Sequence, residues 1–235
     1  MSRSLGPVVE NWTPAARPYD LTLRGTWASL RMMDAGRDAA GLWDVFKDAP
    51  WVWDYLYGVA PSDEAAFTEI MQANASRTSQ PCYTISAADD AAPLGYACFW
   101  TVVPEMGCVE IGNVNLSPAL QQTPIATEAF FLMIDWAISN GYRRVEWKCN
   151  ALNMPSRKAA QRLGFSYEGV FRKHVVVKGH NRDTAWFALT DDDWPALRSA
   201  FVTWLHADNF DADGQQRTSL AQLTQPHLVQ SDPIT

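Results

Sequence analysis

The stretch YRRVEWKCNALNMPSRKAAQRLGF, residues 142–165, constrains this chain more than any other, because it sets a strand, a polar turn and a helix in immediate succession. Val145, Trp147 and Cys149 alternate with Arg144, Glu146 and Lys148, the period-2 pattern of a strand with two unlike faces. A helix is expected from about Pro155, since proline suits a first helical turn where its missing N–H would have had no partner. Gly164 stands where a left-handed residue would end that helix. Asn150, Asn153 and Ser156 recur at intervals of three across the turn and gather short polar side chains at the end of the strand.

The rest of the chain supplies the elements such a unit packs against. Residues 1–20 carry Pro7, Pro14 and Pro18 and are expected as an extended arm. A strand is expected at Trp27–Met32. Asp34 then caps a helix to about Asp48, with Leu42, Val45 and Phe46 on its buried side. In PWVWDYLYGVAP, residues 50–61, Trp51, Trp53, Tyr55 and Tyr57 alternate as in a strand, but flanking prolines also suit an aromatic loop or short helix. Periodicity leaves that choice open. A helix from Ser62 to about Ala75 follows, with Asp63 and Glu64 in its first turn, where the helix dipole favours acids. CYTISA and LGYACFWTVV, around the turn ADDAAP, make an antiparallel hairpin, and CVEIGNVNL is the next strand. After a polar loop, Ala126, Ala129, Phe130, Met133, Ile134 and Ala137 recur at helical spacing between about Ile125 and Asn140. Two strands around GHNR and a helix over 191–207 complete an α/β domain spanning 21–207, and the polar segment 208–235 is expected to be flexible. No internal repeat divides the chain.

Composition narrows the classes of function. A net charge of −7 argues against a general nucleic-acid binder, which needs a cationic face for phosphates. Neither an apolar leader nor a run of about 18 apolar residues occurs, so no membrane partner is expected and the cytoplasm is the expected location. Cys82, Cys98, Cys108 and Cys149 lack C-x-x-C spacing and are expected as free thiols, with no metal site.

A strand that ends in a polar turn before a helix offers unpaired N–H groups and partial positive charge to an anion. The chain does this twice, at 116–127 and at 149–156, an arrangement suited to a long phosphorylated ligand. Any α/β protein has helix N-termini, so this alone names no ligand.

Asn153 and Ser156, followed by a helix that ends in Leu163, Gly164 and Phe165, match the N-x-x-S/A and L-G-F pattern of one family. From Asn115 to Phe165 the chain resembles the GNAT superfamily of acyl-CoA-dependent N-acetyltransferases, and within it the ribosomal-protein N-terminal acetyltransferase branch. The element order extends the resemblance over about residues 20–205. It implies a mixed, mostly antiparallel sheet of about six or seven strands flanked by helices. It also implies acetyl-CoA as cosubstrate and a primary amine as acceptor, either a protein N-terminus or a small amine, in a monomer or homodimer. Gln121, Gln122, Thr123, Pro124, Ile125 and Ala126 stand at the family's phosphate loop, with Pro124 in place of its first glycine. Asn115, Leu116, Thr127, Asn153, Ser156, Lys158 and Arg162 complete the implied cofactor contacts; for Lys158 and Arg162 a solvated helix face is an equal reading.

The tyrosine that many members use to protonate the leaving thiolate falls on Ala160, so the resemblance moves that role to Ser156, one turn earlier. Glu110 stands on the strand where the family often places its general base; the alternative is a strand carboxylate paired with a lysine or arginine. A backbone N–H near Asn113–Asn115 would meet the oxyanion. Trp51, Trp53, Tyr55, Asn113 and His174 are the candidate acceptor contacts, each with packing or solvation as its plainer reading. Two further readings stand beside the enzyme: an acyl-CoA-binding or scaffold protein that has lost activity, and a structural protein with no CoA site.

Overall fold

The computed structural model describes residues 3, 5–89 and 92–235. Residues 90 and 91, in the ADDAAP turn, lie outside them. Eight strands form a single sheet: β1 (Thr22–Arg24), β2 (Ala28–Met32), β3 (Cys82–Ala87), β4 (Gly95–Val103), β5 (Cys108–Leu116), β6 (Arg144–Asn150), β7 (Ser166–Val177) and β8 (His180–Thr190). Their order is β1-β2-β3-β4-β5-β6-β8-β7, and every neighbouring pair is antiparallel except β5 with β6. The α/β, mostly antiparallel architecture agrees with the sequence. The eighth strand is β1, three residues whose pairing with β2 periodicity cannot register.

Among the described residues there are six helices: α1 (Ala35–Phe46), α2 (Glu64–Ala75), α3 (Pro124–Ser139), α4 (Met154–Arg162), α5 (Trp194–Leu205) and α6 (Leu220–Thr224), the last packed on α4 and α5. Asp34 caps α1 by accepting from the Arg37 N–H, and Asp63 caps α2 by accepting from that of Ala66. The aromatic segment resolves into a short 3-10 helix, Pro50–Trp53.

Alternation along the strands sends side chains to two cores. Val109, Ile111, Val145, Trp147 and Cys149 join Met133, Ile134, Leu163 and Phe201 in the larger, beneath α3, α4 and α5. Phe46, Trp53, Phe67, Met71, Tyr96 and Cys98 form the smaller, beneath α1 and α2. Period 2 therefore leaves Glu110, Glu146 and Lys148 on the α1/α2 face.

Two expectations are corrected. Cys82 and Cys98 sit directly opposite each other on β3 and β4 and form a disulfide, whereas Cys108 and Cys149 are free thiols. Sequence spacing could not show this, because the pair is made by strand register. Residues 208–235, expected to be flexible, are packed on the body. Leu220 and Thr224 are buried, the Tyr167 N–H donates to the Gln230 carbonyl, and Asp232 is buried in an ion pair with Arg157. Polar composition misled because a few anchors suffice to hold a segment. No described helix is long and apolar enough to cross a membrane.

Candidate functional site

The parallel pair β5·β6 runs through Cys108↔Arg144, Val109↔Val145 and Glu110↔Glu146 and then stops. Both strands continue, to Leu116 and Asn150, without pairing to each other. A bulge separates them: the β4·β5 register slips between Tyr96↔Asn115 and Cys98↔Gly112, and Asn113 takes the left-handed φ of 47°. Facing strand edges that part in this way present backbone donors and acceptors to an extended ligand.

A cavity of about 630 Å³ opens at this fork. Glu110 lines it, is 6% exposed, and accepts from Thr101 Oγ1 at 2.6 Å and Lys148 Nζ at 3.1 Å. Lys148 also pairs with Glu146 at 2.8 Å and lies 4.3 Å from the Trp186 ring centroid. Burial opposes its charge, yet Glu110 and Glu146 hold its pKa above the ordinary value, so it stays an ammonium. Gly112 is required beside it. A Cβ there would stand 2.8 Å from Trp100 Cβ and 3.1 Å from Glu110 Oε1.

On the far side of the fork, Asn153 caps α4 by accepting from the Ser156 N–H at 3.1 Å. Ser156 Oγ in turn accepts from Trp147 Nε1 at 3.0 Å. Burial pushes the neighbouring Cys149 thiol up to about 11, so it is protonated at neutral pH. Ala160 is fully buried in the larger core and does not line the cavity, which leaves Ser156 as the hydroxyl that α4 offers there.

Of the residues singled out in the sequence, the fold brings Glu110, Asn113, Asn153, Ser156, Trp53, Tyr55 and His174 to the cavity wall. Trp51 points elsewhere and is 56% exposed. The loop before α3 lies beyond the cavity. There Thr123 caps the helix by accepting from the Ala126 N–H, Gln122 adopts φ 61°, and Gln121 Nε2 donates to the Leu116 carbonyl. Asn115 Oδ1 and Ser117 Oγ are buried without partners, an opening for ligand donors. Ile125 packs on the larger core, Lys158 is solvent-exposed, and Arg162 Nη1 donates to Thr127 Oγ1 at 3.1 Å with its guanidinium over Trp204. Burial lowers the Arg162 pKa from its usual value.

Sequence reading missed Lys148, Trp100 and Arg182, all of which line the cavity, whereas Tyr57, part of the aromatic run it did single out, lines it too. Lys148 carried a signal, its alternation with Trp147 and Cys149. Arg182 was hidden in GHNR, whose turn is only Lys178 and Gly179, at φ 51° and 78°; the strand resumes at His180. Among the described residues, no group of three or more His, Cys, Asp or Glu side chains is placed to hold a metal ion.

The fold recurs in known proteins. A family model described as an acetyltransferase (GNAT) domain matches residues 29–166. A GCN5-related N-acetyltransferase from Brucella melitensis is 34% identical over 92% of this chain and 100% of its own, with a TM-score of 0.89. A probable GNAT-family acetyltransferase from Chromobacterium violaceum ATCC 12472 is 37% identical over 83% of this chain and 98% of its own, with a TM-score of 0.79. The Salmonella typhimurium acetyltransferase that modifies the N-terminal serine of ribosomal protein L7/L12 shares the fold, at 21% identity over 71% of this chain and 96% of its own and a TM-score of 0.61. No curated protein matches the chain. The chain belongs to the GNAT acetyltransferase family, whose members transfer an acyl group from acetyl-CoA.

Proposed function

We propose that this protein is an N-acetyltransferase that passes the acetyl group of acetyl-CoA to a primary amine by direct attack in a ternary complex. The observation that carries the reading is Glu110, among the described residues the only carboxylate lining the cavity, seated where β5 and β6 part. Acetyl-CoA, when bound, supplies the thioester. Asn113–Leu116 and Cys149–Asn153 would flank its arm, while the loop Gln121–Ala126 and Thr127, with Arg162 and Lys158 behind, would face its phosphates.

Glu110 receives the ammonium proton of the acceptor, directly or through one water, so that the nitrogen lone pair can form the N–C bond. Lys148 cannot take that part, because its neighbours keep it protonated. A β5 backbone N–H near Asn113 faces the oxyanion as the C–S bond breaks. Ser156 then relays a proton to the sulfur, giving up its own as it takes one from water, so that its hydroxyl is restored. Trp147 Nε1 donates to its oxygen and so polarises the hydroxyl toward release.

The test is thiol release from acetyl-CoA over a panel of amines and peptides. Glu110→Gln should lower kcat roughly 100-fold, as for loss of a general base. Ser156→Ala should cost less, about 10-fold, because water can substitute. Tight CoA binding with no thiol released by any acceptor would favour the binding-protein reading instead.

A further inference from the structure

Arg182 is a buried cation that the fold leaves without a carboxylate. It stands on β8 opposite Val175 of β7, lines the cavity and is 6% exposed. Its Nη1 donates to the Tyr55 carbonyl at 3.3 Å and its guanidinium lies 4.5 Å from the Tyr57 ring centroid. Nε is buried without any partner, and no carboxylate among the described residues pairs with the group. An arginine taken out of water needs an anion or a full set of acceptors to offset its lost hydration. One carbonyl and one aromatic face fall short of that.

The surroundings reinforce the imbalance. Arg77, over the Trp100 ring at 5.1 Å, Lys148 and Arg182 all line the cavity, against the single carboxylate Glu110. Glu110 is already matched by Lys148. The cavity is therefore cationic in a chain whose net charge is −7, and such a cleft concentrates anions. The phosphates of the cosubstrate do not meet this need, because residues 117–127, before and at the start of α3, do not line the cavity.

We propose that the acceptor is a compact amine that also bears a carboxylate, and that Arg182 holds this carboxylate while Glu110 meets the amine. The inference rests on the acetyl-transfer reading above and adds the substrate class. A planar guanidinium matches a carboxylate in two parallel hydrogen bonds, which fixes the orientation of the acceptor as well as its affinity. A small acceptor fits because the cavity of about 630 Å³ must also take the acyl end of the cosubstrate. His174 and Thr184, joined at 3.0 Å, lie on the same wall as Arg182.

The experiment compares free amino acids, α and ω, with their carboxamides and with short peptides of acidic N-terminus, at matched neutral-amine concentration, by thiol release and by calorimetric binding. Wild type should favour the carboxylates in kcat/KM by at least about 10-fold, the scale of a charge-assisted hydrogen bond. Arg182→Gln should bring that preference close to one, chiefly through KM, and Arg182→Lys should restore part of it. An equal loss with both acceptor series in Arg182→Gln would make Arg182 a scaffold residue and overturn the proposal. So would wild-type preference for the carboxamides, or for peptides with acidic N-termini over the free amino acids. No thiol release from any acceptor would count against acetyl transfer itself. The calorimetric preference, present or absent in wild type and in Arg182→Gln, would still decide the role of Arg182.

Discussion

Arg157 and Asp232 form a buried two-pronged ion pair, Nε to Oδ2 and Nη2 to Oδ1 both at 2.6 Å, that ties the C-terminal segment to the helix carrying Ser156. Their side chains are 4% and 0% exposed. Arg157 also donates to the Ala151 carbonyl, and the Asp232 N–H donates to Gln161 Oε1, so turn, helix and C-terminus close on one another.

Removing one partner leaves the other charged and buried. Asp232→Asn should cost about 3–5 kcal/mol of stability, read from denaturant midpoints. It should also raise the KM for acetyl-CoA, because the Asn153–Ser156 turn loses its backing. An unchanged midpoint would show that the pair contributes nothing.

Gly112 tests the close packing beside Glu110. Gly112→Ala places a methyl against Trp100 and the Glu110 carboxylate. Overpacking of this kind costs about 1–3 kcal/mol. Turnover should fall more than stability alone explains, since the carboxylate itself must shift; a fully active, equally stable variant would refute the contact.

Acid should destabilise the protein through two carboxylates. Burial works to raise the pKa of Asp38, but Arg37, the Asp34 N–H, Thr84 and Arg31 outweigh it and hold the pKa below 3.8. Glu146 is likewise held below 4.5, against burial, by Lys148 and Arg144. Each binds its proton less readily folded than unfolded, so its contribution is complete above about pH 5 and drains away as the pH falls through the folded value. Thermal midpoints should be flat near neutrality and drop below that point. Asp38→Asn should be less stable at pH 7 and show a shallower acid limb.

The cysteine pairing gives a stoichiometric prediction. Denatured without reductant, the chain should present two reactive thiols, Cys108 and Cys149, and four after reduction. Asn113 Nδ2 lies 3.4 Å from Cys98 Sγ, so reduction should also be felt at the cavity, as a change in KM for the acceptor. Four thiols before reduction would dispose of the disulfide.

Local chemistry made much of the fold legible. The caps at Asp34 and Asp63, the left-handed Gly164 at φ 89°, and the alternation through β5 and β6 are short-range consequences of side-chain type, and the structure repeats them. The Asn153 to Ser156 spacing belongs with them, since a cap binds three residues ahead. The 3-10 helix at Pro50–Trp53 was not legible, because proline-bounded aromatics satisfy several local patterns equally.

The strand-turn-helix of residues 142–165 was thus determined by sequence alone: period 2, then a cap, then a helix stopped by glycine. Only the tertiary structure decided what faces it. The β5·β6 fork depends on a bulge opposite β4, the Glu110–Lys148 pair on parallel register, and the Cys82–Cys98 bond on antiparallel register. The unmatched charge of Arg182 depends on the Tyr55–Tyr57 segment, some 125 residues earlier in the chain, folding over it. Those are contacts between distant residues, set by how sheet and helices pack, and no local pattern encodes them.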